Sequence, residues 1–151
     1  MSPSNTTITI DIDVTLTPDP GKPSGYRFQY DSESSSVAGD GTIDLTGVDK
    51  DDVVLAFHLQ QASGVQPLFP GDAEQAVWFE EWPKGTPPPH PCPSRHGNSS
   101  NTFVDFSIKQ AGSTLQFTDK NKNNKRNAYA LRCIVPPATT PIADDPVIVN
   151  R

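Results

Sequence analysis

"TITIDIDVTL", residues 7–16, decides the fold class. Ile8, Ile10, Ile12, Val14 and Leu16 fall on one side of an extended chain, and Thr7, Thr9, Asp11, Asp13 and Thr15 on the other. Side chains of a strand alternate between faces, so strict apolar–polar alternation marks a strand buried on one face only. A helix would need apolar residues three and four apart. The pattern predicts a half-buried antiparallel strand, the usual setting for a strand with one wet face.

The same period recurs outward from this segment. "TPDPGKPSG" breaks the chain with Pro and Gly, and "YRFQY" (26–30) then sets Tyr26, Phe28 and Tyr30 against Arg27 and Gln29. "TIDL" (42–45), "VVLAFHL" (53–59), "AVWFEEW" (76–82), "FVDFSI" (103–108), "STLQF" (113–117), "NAYALRCIV" (127–135) and Val147–Val149 read as further strands. No segment holds a sustained helical period with caps, so almost no helix is expected. Eight or nine short strands separated by turns predict an all-β fold, an antiparallel immunoglobulin-like β-sandwich, with a barrel as second choice. The 151 residues suit one domain, 1–151. It is interrupted by a Pro-rich loop at 83–101 and a Pro-rich C-terminal segment at 136–146. "DKNKNNKR" between two strands predicts a hairpin turn, because Asn and Asp tolerate left-handed backbone.

The formal net charge of −6 weighs against nucleic acid, whose phosphates need Lys and Arg, and against an anionic membrane surface. No apolar run approaches the ~18 residues of a membrane helix. "MSPSNTTITIDIDV" has neither the basic nor the continuous apolar part of a secretory signal, which predicts a cytoplasmic protein. There Cys92 and Cys133 stay thiols. In an oxidising compartment a Cys92–Cys133 disulfide would tie the long loop to a core strand.

In layout the opening strand, the "TPDP" turn, "FTDKNKNNKRNAYALR" and the closing "DDPVIVN" resemble the DP-EP family, small bacterial immunoglobulin-like β-sandwich proteins. Asp19-Pro20 and Asp145-Pro146 match its Asp-Pro pairs. The resemblance implies a bacterial protein of that fold and assigns no catalytic residue.

Four places carry chemistry. "TPPPHPCPSRHGN" (86–98) offers His90, Cys92 and His96, side chains that suit zinc or copper. They supply three ligands of the four a structural site needs. Prolines at 87, 88, 89, 91 and 93 stiffen the loop toward polyproline II, which splays His90 and Cys92 apart. Cys133, the remaining thiol, shares an inward face with Tyr129, Leu131 and Val135. Asp119, Asn121 and Asn123 mimic the first ligands of a calcium loop, but Asn124 and Ala130 stand where Gly and a bidentate Glu are required. Trp78, Glu80 and Trp82 share one strand face, opposite Val77 and Phe79. Two indoles around a carboxylate can meet a protein segment or a sugar, with His90 nearby in sequence. The Pro-rich loop leaving Trp82 is expected to fold back over the indoles. His58 sits at a polar-facing position of a central strand, which predicts a solvated or hydrogen-bonded histidine rather than a catalytic one. No motif of a nucleophile elbow, phosphate loop, dinucleotide fold or zinc protease occurs.

The sequence therefore reads as a non-enzymatic binding or structural module without a cofactor. Its expected partner surface is Trp78, Glu80, Trp82 and His90, for a protein or carbohydrate. A metal-binding protein using His90, Cys92 and His96 is the alternative.

Overall fold

In the computed structural model the described residues are 7–22, 24–62, 64–83, 102–121, 125–144 and 146–150. They form two sheets whose apolar faces meet. The first sheet has the order β2-β1-β4-β7-β6, built from β1 (Thr7–Pro18), β2 (Tyr26–Asp31), β4 (Asp52–Leu59), β6 (Phe103–Lys109) and β7 (Thr114–Asp119). The second has the order β3-β10-β8-β5, built from β3 (Ile43–Asp44), β5 (Val77–Pro83), β8 (Lys125–Cys133) and β10 (Val147–Val149), with β9 (Ile142–Asp144) also paired to β8. Among the described residues helix is confined to one turn, α1 (Ala73–Ala76), and a 3-10 turn at Gln110–Gly112. Asp72 caps α1 by accepting from the Glu74 amide at 2.9 Å. No helix among the described residues is long and apolar enough to cross a membrane.

The alternation of β1 turns directly into burial. Ile10, Ile12, Val14 and Leu16 are buried, while Thr9, Asp11 and Asp13 are exposed. Val53, Leu55, Phe57 and Leu59 of β4 line the same core, as do Phe28 and Tyr30 of β2. The two sheets are joined by rings. Phe57 lies 5.8 Å from Tyr129, and Phe79 stacks on Phe103 at 3.8 Å and meets Phe117 edge-on at 5.5 Å. Such contacts add to the area the rings bury.

Two expectations need correction. The sheets are mixed, with β1 parallel to β4 and β3 parallel to β10. After pairing with β1, β2 leads the chain into the second sheet as β3. The chain returns as β4 on the far side of β1, and this detour sets the parallel direction. Second, "FTDKNKNNKRNAYALR" is not a hairpin, because β7 belongs to the first sheet and β8 to the second. The connection crosses the core edge instead. Asn121 is buried there and its Nδ2 donates to the carbonyls of Leu45, Val48 and Lys50 at 3.3, 3.0 and 3.3 Å. β9 lies within the Pro-rich segment 136–146, and it and β10 follow one another along β8, with the Tyr129 amide donating to the Pro146 carbonyl between them at 2.9 Å.

Candidate functional site

β5 is held by β8 in antiparallel register, Trp78 opposite Ala130 and Glu80 opposite Ala128. Val77 and Phe79 enter the core, so Trp78 and Glu80 lie on the outer face as the alternation predicts, both half-buried. The residues facing them across β8 are alanines, which leave room for an indole to lie over the neighbouring strand. Ala128 and Ala130 are themselves buried on this outer face. The next outward residue of β8 is Arg132. Its guanidinium carbon sits 3.7 Å from the centroid of the Trp78 ring, a cation–π stack. Arg132 Nη1 also donates to the Gln75 carbonyl at 2.7 Å and to Gln75 Oε1 at 3.2 Å, which anchors the stack to α1. The Trp78 Nε1–H is enclosed, with no acceptor among the described residues.

Arg132 therefore covers one face of the Trp78 indole. The expectation that the Pro-rich loop covers it concerns residues 84–101, which lie outside the described residues, as do His90, Cys92 and His96. The Trp82 backbone pairs with Arg126, while the Trp82 side chain is also outside the described part. Arg132 was missed at the sequence level because its place over Trp78 depends on the β5–β8 register.

The outer face of the first sheet holds a second polar arrangement. His58 Nε2 is 2.9 Å from Asp11 Oδ1, and its Nδ1 is 3.1 Å from Thr114 Oγ1. In the tautomer that donates from Nε2 to the carboxylate, Nδ1 accepts from the threonine hydroxyl. A hydroxyl, an imidazole and a carboxylate in line invite comparison with a hydrolytic triad. The exposures run the wrong way, however: Thr114 is 5% exposed, whereas the Asp11 side chain is 69% exposed. A nucleophile must reach substrate while its orienting carboxylate is sheltered. Here the group that would attack is shut in, and the three side chains cross-link β1, β4 and β7. Gln60 extends the row by donating to Asp13 Oδ1 at 3.2 Å. An open groove of about 530 Å³ lies alongside, lined by Asp11, Asp13, Asp31 and Glu33 together with Thr9 and Ser32.

Two further groups are enclosed. Cys133 is a free, buried thiol, and burial pushes its pKa up to about 12. That opposes the thiolate form a metal ligand needs, so Cys133 is a poor fourth partner for His90, Cys92 and His96. Among the described residues no three His, Cys, Asp or Glu side chains are grouped as a metal site. Asp119, which mimics the first residue of a calcium loop, is wholly buried at the end of β7, and the Asn121 amide donates to the 45–50 segment. No family model matches the chain, and no curated protein matches it.

Proposed function

We propose that the chain is a non-enzymatic binding module of immunoglobulin-like β-sandwich type, akin in layout to the DP-EP family, which docks a protein segment on the outer face of β5 and β8. The observation that carries this reading is the Trp78–Arg132 stack beside Glu80. Trp and Arg are the residue types that dominate binding energy at protein interfaces. Arg132 is already held by Gln75, so little side-chain freedom remains to be lost on binding. The half-buried setting leaves an edge of the indole for a partner. A sugar ring stacks on an open aromatic face, and Arg132 occupies one face of Trp78, which favours a protein partner over a carbohydrate. Trp82 and His90 are assigned to the same surface on sequence adjacency alone.

In-cell photo-crosslinking tests the proposal. A photoreactive residue at position 80 should form a discrete protein adduct, and one at position 9, on the outer face of the first sheet, should not. Trp78→Ala or Arg132→Ala should cut the adduct by tenfold or more, on the order expected for a hot-spot residue. An adduct from position 9 instead, or one at position 80 indifferent to both substitutions, would overturn the reading.

A further inference from the structure

The end of the molecule opposite His58 contains a wholly buried carboxylate. Asp119 closes β7, opposite Val53 of β4 and Phe103 of β6, and all three are buried. Its side chain is 0% exposed; neither carboxylate oxygen meets a donor in good hydrogen-bond geometry, and the Asn150 side chain is set against it. An ionised carboxylate in such a place is costly, so the group keeps its proton or the enclosure opens.

The segments around it are tied to one another at this end. The Asn121 amide links the 45–50 segment to the end of β7, and the Leu45 amide donates to the Val149 carbonyl of β10 at 2.8 Å. β10 has three residues and pairs with a two-residue β3. The Lys120 amide donates to the Thr102 carbonyl at 2.7 Å.

We propose that this end is a proton-controlled latch: it is closed while Asp119 is protonated, and when Asp119 ionises the 45–50 segment and β10 come away from the end of β7. Burial pushes the Asp119 carboxyl up from 3.8 to about 7, with Asn150 of the closing segment opposing the shift. Among the described residues, the charged groups of the elements packed here are Asp49, Lys50 and Asp51 before β4, Asp52 on β4, Lys120 after β7 and Arg126 on β8. All are exposed or half-exposed, and none is a cause of the shift. β10 brings no charged side chain, and Asp44 on β3 and Asp105 and Lys109 on β6 are exposed and likewise no cause of the shift. The sign follows from linkage. The closed state holds the proton to about 7 and the open state releases it near 3.8. Closure is therefore favoured at low pH and weakens as pH rises through this window, levelling off above it.

Amide hydrogen exchange, read as protection factors, tests the latch. Between about pH 5 and pH 8 the protection of the Leu45, Val48 and Lys120 amides should fall by roughly tenfold to a hundredfold. The Leu59 and Ile134 amides, bonded to Ser113 and Leu68 at the other end, should keep theirs. Asp119→Asn should remove the pH dependence. If that variant does not fold, Asp119→Leu, apolar and of similar size, should stay closed at both pH values. Equal losses at both ends, no loss at either, or an unchanged pH dependence in the variant would overturn the proposal.

Discussion

Gly41 sits where three rings and a strand converge. The Tyr129 hydroxyl donates to its carbonyl, its φ is +91°, and a Cβ there would stand 2.7 Å from Tyr30 Cε1 and 2.9 Å from Pro146. Tyr30 in turn donates to Asp144 Oδ2 at 2.8 Å. Burial raises both phenol pKa values well above the ordinary one, so each hydroxyl stays a donor. Gly41→Ala combines a left-handed backbone with a clash against packed atoms and should cost at least about 2 kcal/mol. Gly47→Ala, with nothing within 4 Å of the added carbon, should stay within about 0.5 kcal/mol of the parent. Urea unfolding of the pair checks this, and equal midpoints would show that the Gly41 contacts carry no weight.

At the scale of the element, β6 is the informative strand. Val104 pairs with Thr118 and Ser107 with Gln116, so β6 spends three steps where β7 spends two. The extra residue is accommodated by Asp105, at φ 59°. This bulge swings Phe106 toward the core, where it stacks on Phe117 at 5.4 Å, three residues after Phe103 rather than two. Asp tolerates the left-handed region, whereas a β-branched residue does not. Asp105→Val should therefore lose about 1–3 kcal/mol in denaturant unfolding, and Asp105→Gly should change stability by less than about 1 kcal/mol. Comparable losses from both would mean that the backbone is not strained there. The contrast with β1 shows what could be read beforehand. Five alternating apolar residues from Ile8 to Leu16 left only one way for that strand to face. In "FVDFSI" the bulge breaks the period, and no residue type announces it. Alternation is likewise blind to direction and partner. It cannot distinguish a parallel from an antiparallel neighbour for β1, nor a hairpin from a crossing between sheets at Asp119. Asp119 itself lies among Lys and Asn, so it reads as turn although it is core.

At the scale of the whole molecule, two sheets share one aromatic core, and their outer faces differ. The first sheet carries the Asp11–His58–Thr114 cross-link and an acidic groove. The second carries two buried alanines and, beside them, the Trp78–Arg132 stack. The common face of Trp78 and Glu80 was readable from period two, while the Arg132 stack needed the register of a strand about fifty positions away. The proposed function depends on that stack lying open to a partner. The chain has two tryptophans, so Trp82→Phe makes Trp78 the only indole, and acrylamide quenching of its fluorescence then measures access directly. A Trp78 open to a partner gives partly quenched emission, and Arg132→Ala moves it to the red and makes it more quenchable, since the guanidinium no longer covers the ring. Blue emission that resists acrylamide and ignores Arg132→Ala would show the face closed and contradict the proposed binding surface.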